Sequence, residues 1–440
     1  MRRAGAALPP DTLSLARVLE HLPEGAALVG LVTPGEGASR EFGAFVARSG
    51  SPAVHYVALG PAAELENALV AWTDALSRPP ASSIEARRAE AQCRALGAKV
   101  RAAFWDPIAR ATDGARTIEI VPEGAAFALP WLALPTTGGR YLADEPIELL
   151  VRNAERDLLR PAASAGGGLL AVGGPDYARA GEPQLSAGAD PPILRARALS
   201  CSGERIDLPA LPAARAEAED LARRWNTGDA ALLVGADATE AAFKRDAPGK
   251  RVLHLATHGV AVADTCGTAA PGTRGIGGVA PAATAPSGAK KPKPAPPAPA
   301  TRSLPGDVWL ALAGANRPDA PDENEGLLTA EEVVTLDLRG TDWVVLSACH
   351  SGVGRTWAHE GVFGMRRAFH LAGARSVIAS GWAVADEPTR AWMLALYAAR
   401  EHSASTGAAI REACRSVLAA RRKAGQPTHP FYWAAFSGTE

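Results

Sequence analysis

Two short motifs that lie 91 residues apart constrain this chain more than any other feature of its sequence (349 − 258 = 91). The first runs from Val252 to Gly259 and reads VLHLATHG, and the second runs from Trp343 to Gly352 and reads WVVLSACHSG. Each is an apolar run that stops at a polar segment closed by glycine, a pattern typical of a buried parallel strand. Residues at the carboxyl ends of such strands face the crevice in which open α/β sheets place their sites. The motifs therefore predict an imidazole, from His258, and a thiol, from Cys349, at one edge of one sheet.

A cysteine beside a histidine has the chemistry of a nucleophile and its base. A free thiol has a pKa near 8.5, and a neighbouring imidazolium lowers that pKa, so that the reactive thiolate forms near neutral pH. We expect His258 to activate Cys349 and later to protonate the leaving amine. We expect the backbone N–H groups of Gly259 and Cys349 to form the oxyanion hole, because a glycine has no Cβ to block close approach. The arrangement is typical of a cysteine peptidase.

Two further histidines near these motifs are weaker candidates. His254 lies inside the first apolar run, and we interpret it as a core or supporting histidine rather than as the base. His350 follows the cysteine directly, so its side chain should point to the opposite side of an extended chain. No CxxC motif accompanies His254 and His258 in the sequence, which argues against zinc. We expect neither a metal nor another cofactor.

Taken in order, these motifs and several others resemble those of the CHAT peptidases, which are caspase-like domains in the caspase–separase–gingipain group of cysteine peptidases. Segments of similar pattern outside the two motifs are Ile118–Pro135, Leu169–Tyr177, Val308–Asn316, Glu325–Gly340, Gly361–Asp386 and His429–Phe436. The resemblance covers residues from about 20 to 440. It implies that His258 is the base and acid, Cys349 the nucleophile and Gly259 an oxyanion donor. It also implies that a backbone carbonyl can orient the imidazole in place of a carboxylate, and no carboxylate partner is assigned.

The order of predicted elements indicates an α/β fold. The predicted strands are Ala26–Val32, Phe42–Arg48, Val54–Leu59, Thr117–Val121, Leu169–Val172, Leu232–Val234, Val252–Ala256, Val308–Leu312, Val344–Ser347 and Ser376–Ser380. The predicted helices are Pro61–Ser77, Ser83–Trp105, Arg215–Trp225, Thr239–Ala247, Gly361–Ala372 and Pro388–Glu401, and a capping-box spacing predicts a short helix after Thr329. Alternation of strands and helices favours a mainly parallel sheet covered by helices on both faces. The resemblance makes this sheet caspase-like, as a peptidase domain over 166–440, and implies a smaller, degenerate caspase-like lobe over 1–165.

A segment rich in alanine and proline interrupts the predicted peptidase domain between its two motifs. Residues 261–305 contain nine prolines and no aromatic residue. Such a composition cannot bury enough apolar surface to offset the entropy of ordering, so we expect a disordered insertion. The sequence leaves open whether this is a tolerated surface loop or a regulatory loop that the enzyme itself cleaves at a basic residue.

The segment Ser380–Asp386 resembles a separase segment in which an acidic residue meets arginine. The resemblance implies that Asp386 binds an Arg or Lys of the substrate through a charge-assisted hydrogen bond, with Trp382 on the wall of the same pocket. Two alternatives remain open. Asp386 precedes Pro388 and so suits the N-cap of a helix, and Trp382 suits a core position.

Composition excludes several classes of partner and compartment. The net charge is −1, so no global field attracts nucleic acid or an anionic membrane. The five cysteines are few and odd in number, which indicates a reducing compartment. The sequence shows neither a signal peptide nor an apolar run long enough to span a membrane. We therefore expect a cytoplasmic protein that binds neither nucleic acid nor membrane, and the resemblance implies that it is of bacterial type.

The leading hypothesis is a cysteine endopeptidase that cleaves a protein partner and is regulated by a signal or by an activating protein in trans. A catalytically silent caspase-like interaction module is the main alternative. A Cys-His hydrolase of small acyl substrates, such as a thioesterase, is a third, and the extent of the resemblance disfavours it.

Overall fold

A computed structural model of the chain describes residues 14–78, 80, 83–160, 166–179, 208–226, 228–261, 308–317, 326–348, 355–357 and 361–440. Three features of the sequence analysis lie outside these described residues. They are Cys349, His350 and the predicted insertion after Ala261.

The described strands form one large sheet and two small ones. They are β1 (Ala26–Val32), β2 (Glu41–Arg48), β3 (Val54–Pro61), β4 (Thr117–Val121), β5 (Glu148–Val151), β6 (Gly167–Pro175), β7 (Ala230–Gly235), β8 (Lys250–Ala256), β9 (Gly259–Ala261), β10 (Val308–Ala311), β11 (Leu327–Thr329), β12 (Trp343–Ser347), β13 (Arg355–Trp357), β14 (Gly361–Phe363), β15 (Ser376–Ser380) and β16 (Phe436–Thr439). The large sheet has eleven strands in the order β3-β2-β1-β4-β5-β16-β15-β12-β8-β6-β7. The small sheets are β11-β10-β9 and β13-β14.

The large sheet is mixed but mostly parallel. β7, β6, β8, β12 and β15 run parallel to one another, and so do β1, β4, β5 and β16. The two groups meet where β16 pairs with β15 in the antiparallel sense. Because β8 and β12 are adjacent and parallel, whatever follows each of them emerges at the same edge of the sheet.

Several of the described helices begin at a side-chain cap. The described helices are α1 (Leu15–Glu20), α2 (Ala62–Ser77), α3 (Ser83–Val100), α4 (Asp106–Ala111), α5 (Pro212–Arg224), α6 (Glu240–Asp246), α7 (Ala330–Val334), α8 (Met365–Ala372), α9 (Asp386–Arg400) and α10 (Thr406–Lys423). The predicted capping box is confirmed, since Thr329 accepts from the Glu332 N–H and Glu332 accepts from the Thr329 N–H. No helix within the described residues is both long and apolar enough to cross a membrane.

Hydrophobic cores cover both faces of the large sheet. On one face, Val252 and Val345 belong to a core shared with α2, α5, α9 and α10. On the other face, Leu253 and Val344 belong to a core shared with α6, α7 and α8. Neighbouring residues of one strand thus enter different cores, and this burial on both sides explains the unbroken apolar runs of β8 and β12. The predicted sheet with helices on both faces is confirmed.

Two predicted elements differ from the structure. The strand predicted at Val308–Leu312 exists as β10, but it lies in the small antiparallel sheet beside β9 and β11. The helix predicted at Gly361–Ala372 begins only at Met365, because β14 occupies residues 361–363 and pairs with β13. Strands from both predicted lobes share one sheet, since β5 adjoins β16. The division into 1–165 and 166–440 stays a prediction.

Candidate active site

The carboxyl ends of β8 and β12 bring the two sequence motifs to one edge of the sheet. The strand register pairs Ala256 with Ser347. His258 follows Ala256 by two residues, and Ala348 is the last described residue before Cys349. The structure therefore places His258, the predicted base, at this edge. Cys349, the predicted nucleophile, would follow directly after Ala348 at the same edge.

A backbone carbonyl fixes the orientation of His258. The side chain is fully buried, and its Nε2 atom lies 2.8 Å from the carbonyl oxygen of Pro209. A carbonyl oxygen only accepts hydrogen bonds, so Nε2 carries the proton of the neutral ring and Nδ1 is the basic nitrogen. The carbonyl of Pro209 thus holds one tautomer and one ring orientation, which is the task of the carboxylate in a Ser-His-Asp triad.

The backbone of His258 is fixed by the strand beside it. The Ala311 N–H of β10 donates to the His258 carbonyl oxygen at 2.9 Å, and the Thr257 hydroxyl donates to the Ala311 carbonyl oxygen. That leaves the Tyr177 hydroxyl, 3.0 Å away, as the donor to the Thr257 oxygen. The Tyr177 ring also packs against the imidazole, with 5.2 Å between the ring centres. Both the main chain and the ring of His258 are therefore held from one side.

Two distant side chains grip the segment that carries the Pro209 carbonyl. Asn316 uses both ends of its amide on Leu208, since its Nδ2 donates to the Leu208 oxygen and its Oδ1 accepts from the Leu208 N–H, each at 3.0 Å. Asp386 accepts from the Ala213 N–H at 2.9 Å. The segment from 208 to 213 is thus anchored on both sides of the carbonyl that meets His258.

The position of Asp386 tests one of its two predicted roles, the N-cap, and leaves the substrate-binding role a prediction. Asp386 is the first residue of α9, and the N-cap of that helix is Ala385, so the N-cap interpretation is wrong by one residue. The residue is only 7% exposed, and its carboxylate caps the start of another helix, α5, through Ala213.

Trp382 is buried beside a small cavity. The cavity measures about 140 Å³, and its wall includes Trp131, Arg366 and Phe436 as well as Trp382. Asp386 is not among the described residues that line it. Burial lowers the pKa of Arg366 to about 10, and its guanidinium donates to carbonyl oxygens of β15 and β16. The shared substrate pocket of Trp382 and Asp386 stays a prediction.

His254 belongs to a buried network away from the sheet edge. Its Nε2 atom lies 2.9 Å from Glu217 on α5, and its Nδ1 atom lies 3.2 Å from the Tyr397 hydroxyl on α9. His254 and Glu217 are both fully buried. This confirms the interpretation of His254 as a core or supporting histidine. Among the residues that the structure describes, no three His, Cys, Asp or Glu side chains are grouped to hold a metal ion.

Sequence reasoning missed most of the residues that hold the site. Ser380, at the end of β15, donates its hydroxyl to the carbonyl oxygen of Ala348, directly before Cys349. Tyr177 and Asn316 each end a segment that resembles the family, which was the available sign of their importance. Pro209 lies in an irregular segment whose pattern gives no indication of its contact.

Comparison with known families agrees with this geometry. The model of the CHAT domain family matches residues 94–439. The chain belongs to the CHAT domain family. The prediction made from its motifs is thereby confirmed, and the match includes β8, β12 and the segments that hold His258.

Relatives of this CHAT chain are longer proteins. Tetratricopeptide repeat protein 28 of Homo sapiens is 32% identical over 126 residues, which are 29% of this chain and 5% of the relative. The same protein of Mus musculus is 31% identical over 119 residues, which are 27% of this chain and 5% of the relative. The chain therefore spans about a twentieth of the length of these curated relatives.

Two solved structures are similar to this CHAT chain. The Saccharomyces cerevisiae separase–securin complex matches with a TM-score of 0.55 and 7% identity, over 96% of this chain and 30% of that chain. The Arg-specific cysteine proteinase gingipain R matches with a TM-score of 0.40 and 8% identity, over 86% of this chain and 74% of that chain. The likeness to separase confirms the predicted caspase-like α/β fold.

Proposed function

We propose that this chain is a cysteine endopeptidase that cleaves a protein partner with a dyad of His258 and Cys349. The register of β8 and β12 carries the proposal, because it pairs Ala256 with Ser347 and each dyad residue follows its strand's paired residue by two positions. Side chains two residues apart on an extended chain point the same way. The CHAT family membership and the carbonyl-oriented ring of His258 support the same conclusion.

The first half of the proposed reaction forms an acyl-enzyme. His258 Nδ1 takes the thiol proton of Cys349, while its Nε2–H stays bonded to the Pro209 carbonyl, whose partial negative charge favours the imidazolium. The thiolate sulfur then bonds to the scissile carbonyl carbon, and the N–H groups of Gly259 and Cys349 donate to the oxyanion. The C–N bond breaks as His258 returns the proton to the leaving amine.

The second half releases the new carboxyl end of the substrate. A water molecule attacks the thioester carbon, and His258 Nδ1 accepts its proton. The C–S bond breaks, and the proton returns to the thiolate of Cys349 or stays on the imidazole as an ion pair with it. No group beyond the dyad, the two backbone donors and water is needed for the atoms and charges to balance.

The proposal extends to a preference for Arg or Lys before the scissile bond and to an activating protein in trans. The preference rests on the resemblance of Ser380–Asp386 to a separase segment. The bond from Asp386 to Ala213 favours a structural role for this carboxylate instead. The residue before each cut therefore tests the substrate preference, and the presence of cuts tests the activity.

The test compares the wild type with Cys349→Ala and His258→Ala in a proteome extract, and new protein termini are mapped by mass spectrometry. We expect termini that appear only with the wild type, and the residue before each cut reads out the preference. Cys414→Ala is the matched control, because burial raises the pKa of this thiol to about 12, so its removal should leave cleavage unchanged.

Identical termini with all three proteins would contradict peptidase activity in the isolated chain. A peptidyl-arginine acyloxymethyl ketone then separates the remaining explanations. Labelling of Cys349 that requires His258 would identify a competent dyad that lacks an activator. No labelling would support a silent interaction module, unless the activator is missing.

A further inference from the structure

The carbonyl of Pro209 sits in an irregular segment, yet its position decides how His258 is oriented. We propose that Asn316 and Asp386 are positioning residues for His258 that act through this carbonyl, an inference that rests on the proposed dyad. Neither residue reaches the imidazole itself in the contacts described for it. Together they clamp the chain on the two sides of Pro209.

Asn316 fixes the residue before the proline. Its amide pairs with both the N–H and the carbonyl oxygen of Leu208, so this one side chain satisfies a complete backbone unit. Its own backbone N–H donates to the Tyr177 carbonyl oxygen at 2.8 Å. The stretch that ends at Asn316 begins with Ala311, which holds the His258 backbone. The short segment from Ala311 to Asn316 thus holds both the backbone of His258 and the residue before Pro209, whose carbonyl contacts the imidazole.

Asp386 fixes the segment on the other side. The Ala213 N–H lies in the first turn of α5, where backbone N–H groups have no partner within the helix. A carboxylate at this place satisfies the donor and interacts favourably with the positive end of the helix dipole. An ion pair between Asp220 of α5 and Arg390 of α9 reinforces the junction. α5 and α9 are therefore locked together four residues beyond Pro209.

Loss of either contact frees the carbonyl to move away from the imidazole. Without that acceptor, the ring loses the bond that selects its tautomer and that favours the imidazolium. The thiol then loses part of the stabilisation of its ionised form, and its pKa moves back towards the ordinary value near 8.5. Substitution of a residue with a purely structural role would change the melting temperature and leave the pH dependence of Cys349 ionisation unchanged.

The experiment measures the rate of Cys349 alkylation by iodoacetamide against pH, read for that one peptide by mass spectrometry. The full-length chain is compared with His258→Ala, Asn316→Ala, Asp386→Ala and Asp386→Asn. Glu387→Ala is the matched control, because Glu387 is an exposed neighbour in the same first turn of α9. Melting temperatures accompany every profile.

We expect a wild-type midpoint well below 8.5, with His258→Ala moving it to about 8.5. Asn316→Ala and Asp386→Ala should move the midpoint at least one pH unit in the same direction. Asp386→Asn should stay near the wild type, since an amide oxygen still accepts from Ala213. If Asn316→Ala does not fold, Asn316→Asp replaces it, because it loses only the donor to the Leu208 carbonyl oxygen.

Different results would contradict the His258–Cys349 dyad and the positioning role of Asn316 and Asp386. A wild-type midpoint near 8.5 that ignores His258→Ala would overturn the dyad itself. A low midpoint that depends on His258 but is unchanged in folded variants of both Asn316 and Asp386 would overturn only the positioning role. A shift in Asp386→Asn as large as that in Asp386→Ala would also overturn it, because the charge of Asp386, and not its bond to Ala213, would then be responsible.

Discussion

Ala261 and Val308 are register partners in the adjacent antiparallel strands β9 and β10, although 46 residues (262–307) separate them in the chain. Two paired residues at the end of such a ladder need only a short turn to connect them. The stretch 262–307, which contains all of the predicted insertion except Ala261, therefore begins and ends at one point of the structure.

We predict that a two-residue Asn-Gly turn can replace residues 262–307 without loss of the fold. Closing a loop of two residues rather than 46 costs less entropy, so the free energy of unfolding should rise by up to about 3 kcal/mol. Urea denaturation of both proteins measures the difference. A shortened chain that melts lower than the wild type would show that the insertion packs against the domain. Equal Cys349 labelling before and after the replacement would exclude a regulatory loop.

The sequence predicted those parts of the fold whose residues are buried on both sides. β8 and β12 read as apolar runs because both of their faces enter cores, and their last polar residues marked the site edge. β5 (Glu148–Val151) is absent from the predicted strands, and the family-like segment His429–Phe436 reaches only the first residue of β16. The contacts that hold the segment around Pro209 could not be predicted from the sequence for another reason. These contacts join Leu208 to a residue 108 positions away and Ala213 to one 173 positions away, and no local pattern encodes such pairs.

Glu217 and His254 form the buried pair that ties α5 to β8. We predict that Glu217→Ala lowers the free energy of unfolding by about 3 kcal/mol, because it leaves a buried imidazole without its carboxylate and creates a void. Glu219→Ala, on the same helix, is the matched control and should cost less than about 1 kcal/mol, since Glu219 pairs only with the exposed Arg215. Urea denaturation measures both. Equal losses in the two variants would mean that the buried pair contributes nothing beyond helix propensity.

Glu240 makes the stability of the fold depend on pH. Burial, together with the nearby carboxylate of Glu332, raises the pKa of Glu240 from 4.5 to about 8, although Lys244 contacts both carboxylates. A raised carboxyl pKa gives stability that is complete below about 4.5 and is lost as the pH rises through about 8. We predict that stability falls between pH 5 and pH 8 and that Glu240→Gln reduces this fall. Denaturation curves at the two pH values test this, and an unchanged fall in Glu240→Gln would contradict it.

Ser380 and Ser376 lie at opposite ends of β15. Their variants distinguish an effect on the position of Cys349 from an effect on the stability of the fold. The Ser380 hydroxyl donates to the Ala348 carbonyl at the nucleophile edge, whereas Ser376 bonds Thr406 at 2.9 Å at the far edge. Both serines are buried, so each alanine variant should lose about 1 kcal/mol of stability. Only Ser380→Ala should also slow catalysis, by about tenfold in kcat with KM little changed, because it loosens the residue before Cys349 and leaves the bound substrate's contacts alone. Steady-state cleavage of a substrate identified from the mapped termini measures the difference. An equal loss of kcat in Ser376→Ala would mean that the rate simply follows stability and that the Ser380 bond has no special effect on the nucleophile.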